Sequence, residues 1–174
     1  MTTHARTSKI SATGQLAQVE QYRPIVKALQ AAFADRLRAV ILFGSQARQE
    51  ARHDSDHDLL VVIEGIQQDP LARNRLVRST LLPILDRLPG AVGVVVKTPD
   101  EVEAYLTPLL LDVCTEGVCL SGEDYFEPLR RKALAALHSS GLRRRTVGGV
   151  RMWVFPKMPS GDWELSWEGF REGI

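Results

Sequence analysis

The segment FGSQARQEARHDSDHDLLVV (residues 43–62) decides the fold, because it joins two apolar stretches through a short polar loop. AVILF (39–43) runs into it, and DLLVVIE (58–64) closes it. Each run is short, apolar and bounded by turn residues, which is typical of a buried strand. Gly44-Ser45 stops the first strand, and QARQEA, which follows, favours a short helix. The segment therefore predicts a strand–turn–helix–loop–strand unit.

Two carboxylates stand at the start of the second strand. Asp56 and Asp58 are two residues apart, so the two-residue period of a strand puts them on one face and His57 on the other. Mg²⁺ typically takes one or two protein carboxylates together with substrate phosphates. Paired metals at such a site neutralise charge on a transferred phosphoryl group and activate the attacking hydroxyl. Asp56 and Asp58 are thus the candidate metal ligands and catalytic residues.

The turn after the first strand carries features of a phosphate site. Gly44 lets the backbone approach a phosphate with no Cβ in the way. Ser45 offers a hydroxyl and an N–H at the predicted start of a helix, where anions are favoured. Arg48, one turn further on, is within reach of the same phosphates. A glycine–serine turn or a D-x-D alone is weak evidence; both together, ten residues apart and each at a strand end, form a stronger pattern.

The pattern G-S-x10-D-x-D resembles the signature of the DNA polymerase β-like nucleotidyltransferase superfamily. Its minimal bacterial members read approximately GSRARGEARPDSDIDLLV, against GSQARQEARHDSDHDLLV here. The resemblance implies an α/β (α+β) fold, with a palm-like mixed β-sheet flanked by helices. It implies that Gly44 and Ser45 contact nucleotide phosphates and that Asp56 and Asp58 hold Mg²⁺, with two ions expected. The implied reaction moves a nucleoside monophosphate, expected to be AMP from ATP, to a hydroxyl.

The sequence departs from that family at two positions. The family usually has Gly where this chain has Gln49, a change expected to adjust the loop. Active relatives generally carry a third carboxylate on the third strand, whereas this chain reads VGVVV there, with Gly93 at the expected position. His53 and His57 are possible proton acceptors, although solvated loop positions are the favoured interpretation. Other acids near these elements or in the C-terminal segment are Glu50, Asp54, Glu64, Asp86, Asp100, Asp162, Glu164 and Glu168.

Two functions follow from the resemblance. The first is a metal-dependent nucleotidyltransferase that modifies a partner protein or a small molecule; minimal members commonly work beside a helical HEPN-type partner in toxin–antitoxin pairs. The second is a catalytically degenerate module that binds a nucleotide or a partner, which Gly93 motivates. Association into a homo-oligomer stays open.

The rest of the chain fits around this unit. Apolar residues at helical spacing predict a helix within 15–38, with Pro24 separating a lead-in turn from the main helix. Capped helices are expected from Asp69-Pro70 and over 99–116, strands at 91–97 and 117–122, and a helix over 124–139. RMWVF and WELSW, on either side of KMPSGD, predict a hairpin. The expected domains are a disordered tail (1–14), a nucleotidyltransferase domain (15–140) and a basic, Trp-rich extension (141–174).

Composition sets the remaining limits. With 174 residues, 44% of them hydrophobic, the chain is long enough for one domain with a core, and its apolar runs are too short to span a bilayer. The N-terminus has no secretory pattern, and Cys114 and Cys119 are expected to be buried thiols in a cytoplasmic protein. Residues 128–161 carry eight Lys or Arg residues and no acid. This segment favours a solvated face or an anionic partner, and it lacks the aromatic–basic interleaving of a nucleic-acid reader.

Overall fold

A computed structural model describes residues 12–173, with side chains described from residue 19 onward. Residues 1–11 of the predicted tail lie outside this range, and residues 12–14 belong to the first helix. A single 3₁₀ turn follows that helix at Ala34–Arg36. The helices are α1 (Ala12–Phe33), α2 (Gly44–Ala47), α3 (Pro70–Leu85), α4 (Pro99–Ala104), α5 (Pro108–Glu116) and α6 (Glu123–Ser140). The strands are β1 (Leu37–Phe43), β2 (His57–Ile63), β3 (Val92–Lys97), β4 (Val118–Ser121), β5 (Arg143–Val147), β6 (Val150–Val154), β7 (Trp163–Ser166) and β8 (Gly169–Glu172).

The centre of the fold is a four-stranded mixed sheet in the order β3-β2-β1-β4. β1 runs antiparallel to both β2 and β4, whereas β2 and β3 are parallel. Side chains alternate along β1, so Val40 and Leu42 enter one core and Ala39 and Ile41 the other. Helices α1 and α3 cover the first face, and α4, α5 and α6 cover the second. The expected α/β class, with a mixed sheet flanked by helices, is confirmed.

Most predicted elements appear close to their expected bounds. The four predicted strands correspond to β1, β2, β3 and β4, and the basic helix to α6, which ends at Gly141 with φ +68°. The N-cap of α3 is confirmed, because the Asp69 side chain accepts a hydrogen bond from the Leu71 N–H at 3.0 Å. The predicted capping box is also present, with Thr98 and Glu101 bonded reciprocally at the start of α4.

Three predictions about the helices are wrong. Pro24 does not separate a turn from a helix, because α1 continues through it, held by buried residues on the next turns such as Ile25 and Leu29. The short helix is Gly44–Ala47 rather than QARQEA, since Gln49 adopts φ +58° beyond its end. The helix predicted over 99–116 is two helices, because Thr107 is extended before Pro108, and its side chain caps the new helix α5.

The C-terminal segment forms two hairpins, whereas one was predicted. β5 pairs with β6 through Gly148-Gly149, whose φ values of +57° and +82° suit a two-residue turn. β7 pairs with β8, so KMPSGD connects two hairpins and is not itself a hairpin turn. The Trp153 indole N–H donates to Asp112 at 2.6 Å, and that of buried Trp167 to the Val102 carbonyl at 3.1 Å. Both hairpins are therefore fastened to the helices; the division at residue 141 stays a prediction.

Two features of the chain bear on its surroundings. Within residues 12–173, no helix is both long and apolar enough to cross a membrane. Both cysteines are free thiols, and burial raises the pKa of Cys114 to about 12 and that of Cys119 to about 11. Cys114 is buried as expected, whereas Cys119 is only partly buried.

Candidate active site

The sheet itself brings the two parts of the motif together. Phe43, the last residue of β1, pairs with Asp58 on the neighbouring antiparallel strand β2. Gly44 and Ser45 follow Phe43 directly, and Asp56 precedes β2 by one residue. Residues far apart along the loop therefore meet at one end of the β1–β2 pair. The structure brings these four predicted site residues together at that end.

Gly44 is in direct contact with the carboxylate of Asp58. Its φ of +74° is a conformation that residues with a Cβ rarely adopt. A Cβ built on Gly44 would lie 2.6 Å from Asp58 Oδ2, closer than real contacts allow. Glycine is thus required twice here, by the backbone turn and by the close approach of the carboxylate. Because α2 has only four residues, Ser45 can offer its N–H and hydroxyl but not the dipole of a long helix.

The two carboxylates are placed to attract a cation. Asp56 is exposed and Asp58 is half-buried. Neither side chain accepts a hydrogen bond from any residue that the structure describes. Burial raises the pKa of Asp58, the charge of Asp56 raises it further, and His57 and Arg48 oppose these effects. A desolvated carboxylate beside a second negative charge is the kind of group that a divalent ion stabilises.

His57 is a core residue, so its placement in the solvated loop is wrong, whereas His53 is exposed as expected. The His57 ring faces away from the two aspartates, because alternate residues of a strand point to opposite faces. Its Nε2 lies 2.5 Å from the Pro89 carbonyl oxygen, which can only accept, so Nε2 carries the proton. Its Nδ1 forms a hydrogen bond with the Tyr22 hydroxyl at 2.6 Å. The first residue of β2 is thus anchored to α1 and to the loop before β3.

The third strand contributes no carboxylate at the expected place. Gly93, where the resemblance implies a third carboxylate, pairs with Asp58 in the parallel β2–β3 register. A Cβ built on Gly93 would lie 2.9 Å from Asp58 Oδ1. Among residues 12–173, no three His, Cys, Asp or Glu side chains form a group that could hold a metal.

Glu64 is at the far end of β2, where it pairs with Arg38, and Asp162, Glu164 and Glu168 are exposed on the C-terminal segment.

Arg48 is close to the site, but its guanidinium pairs with glutamates. Its Nε lies 2.7 Å from Glu50 Oε2, and its Nη1 lies 3.3 Å from Glu116 Oε2. Its backbone N–H donates to the Gly44 carbonyl at 3.3 Å, and its positive charge lowers the pKa of Asp58. Arg48 is thus within electrostatic range of the Asp58 carboxylate. The predicted contact with phosphates requires it to turn from the glutamates towards the site.

The C-terminal hairpin meets the same glutamates. Arg151 on β6 lies 3.1 Å from Glu50 Oε2 and 2.5 Å from Glu116 Oε1. Arg144 on β5 lies 3.5 Å from Glu116 Oε2, pairs with Asp112 and stacks on the Trp153 ring at 4.6 Å. We call Arg48, Glu50, Asp112, Glu116, Arg144 and Arg151 the shared ion-pair cluster. The sequence showed the basic segment but not these partners, which lie up to about a hundred residues away along the chain.

Backbone hydrogen bonds close the turn at Gln49, the residue that departs from the family pattern. Gln49 adopts φ +58°, a left-handed conformation that favours glycine. Its N–H donates to the Gln46 carbonyl at 3.1 Å, and the next N–H, of Glu50, donates to the Ser45 carbonyl at 3.0 Å. The turn is therefore formed with glutamine at a cost in backbone strain.

The part of the chain that carries the motif is similar to known proteins. Residues 25–87 match the family model described as "Polymerase beta, Nucleotidyltransferase", a range that includes the glycine–serine turn and both aspartates. A protein of Methanocaldococcus jannaschii, named as a candidate protein adenylyltransferase, is 28% identical over 95 residues. That match covers 54% of this chain and 65% of the relative, so the chain spans less than two thirds of the relative's length. The resemblance to polymerase β-like nucleotidyltransferases is confirmed over the matched residues.

The solved structures to which the chain is similar include two toxin–antitoxin complexes. One was determined with AMP-PNP; it is 21% identical, with 66% of this chain and 86% of that chain covered and a TM-score of 0.47. The other holds a tri-AMPylated HEPN toxin of Shewanella oneidensis with an MNT antitoxin; it is 22% identical, with 71% and 87% covered and a TM-score of 0.44.

Proposed function

We propose that this chain, whose residues 25–87 match the polymerase β-type nucleotidyltransferase family, transfers AMP from ATP to a hydroxyl group of a partner protein. The observation that carries the proposal is the contact between the two halves of the motif. The Asp58 carboxylate lies against Gly44, so a phosphate at the Gly44-Ser45 turn would meet the carboxylate pair directly. A phosphate and a carboxylate brought together at this turn would repel each other, and a cation between them would offset that repulsion.

Each residue of the site would have a separate role in binding the nucleotide. Gly44 allows the backbone to approach the phosphates, and the Ser45 N–H and hydroxyl donate to them. Arg48 turns to the same phosphates and neutralises part of their charge. The acceptor hydroxyl oxygen forms a bond to the α-phosphorus while the bond to the leaving pyrophosphate breaks, and the hydroxyl proton passes to solvent. Positioning and charge neutralisation, rather than covalent chemistry by the protein, carry such a transfer.

Asp56 and Asp58 fit the ligand set that magnesium prefers. Both are carboxylates, neither accepts a hydrogen bond from a described residue, and their mutual repulsion raises the pKa of Asp58 in addition to burial. Two protein carboxylates suffice for Mg²⁺ where phosphate oxygens and water complete the coordination. When bound, magnesium would supply charge neutralisation between the carboxylates and the triphosphate.

A protein acceptor is the favoured substrate. The similar protein from M. jannaschii is named for adenylyl transfer to proteins, although this chain spans only 65% of it. The family resemblance of the motif suggests a helical partner of the HEPN type, with a small-molecule acceptor as the second choice. An ATP donor and free thiols suit a cytoplasmic protein. Self-association stays a prediction.

The function is tested with labelled ATP. Full-length protein, Mg²⁺ and α-labelled ATP are incubated with a co-expressed or neighbouring-gene helical protein, and the label on protein and the release of pyrophosphate are measured. We expect the label to be transferred to protein when it is on the α-phosphate and Mg²⁺ is present. ATP should be preferred over the other three triphosphates. γ-Labelled ATP is the matched control and should leave protein unlabelled. Absence of binding for all four triphosphates would overturn the proposal.

A second candidate is a module that binds a nucleotide and no longer transfers it. The observation that favours it is Gly93, which occupies the strand position beside Asp58 and leaves the carboxylate pair without a third member. Such a protein would bind Mg²⁺–ATP with normal affinity but release no pyrophosphate, because transfer needs a positioned nucleophile as well as a positioned triphosphate.

Gly93→Asp separates the two candidates. If the chain binds a nucleotide without transferring it, the variant should gain transfer at least about tenfold above the background without enzyme, since an added carboxylate assists the attacking hydroxyl. Gly93→Asn is the matched control: its Cβ meets Asp58 Oδ1 in the same way, at 2.9 Å, but it adds no charge. If the wild type transfers AMP and neither variant improves the rate, the hypothesis of a module that only binds the nucleotide is contradicted.

A further inference from the structure

We propose that Arg151, on the first C-terminal hairpin, is a positioning residue for nucleotide binding because it makes Arg48 available to the triphosphate. The inference rests on the proposed function, since it requires a triphosphate at the Gly44-Ser45 turn. It assigns to the extension beyond residue 141 a role at a site formed more than eighty residues earlier in the chain.

The two arginines hold the same two carboxylates. Glu50 Oε2 lies 2.7 Å from Arg48 Nε and 3.1 Å from Arg151 Nη1. Glu116 binds Arg48 through Oε2 at 3.3 Å and Arg151 through Oε1 at 2.5 Å. Each acidic partner of Arg48 is therefore also a partner of Arg151. Among the described ion pairs of the hairpin, those of Arg151 reach both glutamates, whereas Arg144 pairs with Glu116 and not with Glu50.

Because Arg151 shares both glutamates with Arg48, it lowers the free-energy cost of moving the Arg48 side chain away from them. The side chains of Arg48 and Glu116 are each only 21% exposed, so removing one partner leaves a charge with little access to water. When Arg48 turns to a phosphate, Arg151 still neutralises both glutamates. Without Arg151, the same turn of Arg48 would leave Glu50 with no guanidinium partner among the described residues, and Glu116 with Arg144 alone, at 3.5 Å. Arg48 would then remain with the glutamates, and the triphosphate would lose a cation.

Arg48 needs only a local movement to reach the phosphates. Its backbone N–H is bonded to the Gly44 carbonyl at 3.3 Å, which fixes its Cα beside the turn. Its charge already lowers the pKa of Asp58. In this proposal the Arg48 side chain exchanges the glutamates for a phosphate while its backbone stays bonded to the turn.

A double-mutant cycle tests the inference with Mg²⁺–ATP as the probe. The dissociation constant of Mg²⁺–ATP is measured by calorimetry for Arg151→Ala in the wild-type chain and in a Glu50→Gln/Glu116→Gln background. Arg151→Ala alone should weaken binding about 3- to 10-fold, and the glutamine background should bind more tightly than wild type. In that background the same arginine substitution should change binding less than about 2-fold, because no carboxylate remains to retain Arg48.

Three further measurements separate positioning from damage. Arg143→Ala removes an exposed arginine from the same hairpin and should leave the affinity unchanged. Arg151→Lys keeps the charge and should retain most of the affinity. Adenosine, which has no phosphate, should bind all variants equally. An equal loss from Arg151→Ala in both backgrounds, or no loss in either, overturns the inference. Failure of the wild type to bind ATP would instead overturn the proposed function.

Discussion

Asp58→Asn should reduce AMP transfer about 10²- to 10³-fold, the loss typical of removing one charge-stabilising group from an active site. The asparagine keeps the size of the side chain but removes the negative charge that faces Gly44. A cation between carboxylate and phosphate would lose its main protein partner. The rate of pyrophosphate release at saturating Mg²⁺–ATP measures the loss, and Asp56→Asn should act in the same direction.

The same substitution should not lower thermal stability. In the folded protein, burial and then the charge of Asp56 raise the pKa of Asp58, so the folded state disfavours the ionised carboxylate. At neutral pH the ionised Asp58 therefore opposes folding, and a neutral asparagine removes that penalty. An unfolding temperature equal to or above that of the wild type, together with lost transfer, would mark Asp58 as a residue kept for function.

The matched control for this prediction is Asp54→Asn. Asp54 is an exposed carboxylate in the same loop, four residues before Asp58, and it makes no ion pair with a described residue. Its substitution removes the same charge from the surface without reaching Gly44, and transfer should stay near the wild-type rate. If Asp54→Asn and Asp58→Asn were equally harmful, the loss would come from the net charge of the loop and not from the carboxylate at the turn.

The sequence predicted the structure well where an element depends on residues that are close together along the chain. Apolar runs ended by turn residues located the four strands of the main sheet, because burial on both faces leaves little alternative to hydrophobic residues. The caps at Asp69 and Thr98 were predictable, since the side chain and the N–H that it binds are two or three residues apart. Gly93 lies beside Asp58 in the β2–β3 register, at the position that the resemblance to the family had singled out.

Prediction failed where the partner is distant in sequence. His57 looked like a loop residue, and only the packing of α1 against β2 shows that Tyr22 supplies its hydrogen bond from thirty-five residues away. The shared ion-pair cluster is a stronger case, because Arg151 meets Glu50 across a separation of 101 residues. Charges in a basic segment do not reveal which acids they face. Such contacts depend on how hairpins and helices are brought together, which local patterns do not encode.

Gly44→Ala should reduce AMP transfer about a hundredfold, because even a 1 Å displacement of a reacting group can cost that much. Its Cβ would lie 2.6 Å from Asp58 Oδ2, so the carboxylate must move away from the turn or the turn must open. Either movement separates the phosphate site from the metal site. The rate of label transfer from α-labelled ATP measures the effect, and the dissociation constant of Mg²⁺–ATP should rise together with the loss of rate.

Gly65→Ala provides the matched control, because it imposes the same backbone strain without the collision. Gly65 has φ +62°, close to the +74° of Gly44, and no other atom lies within 4 Å of a Cβ built there. Both variants should lose about 1–2 kcal/mol of stability from the left-handed conformation alone. Only Gly44→Ala should also lose AMP transfer, whereas Gly65→Ala should keep a transfer rate near that of the wild type. If the two variants lost transfer equally, backbone strain would explain the requirement for glycine, and the contact between Gly44 and Asp58 would have no catalytic consequence.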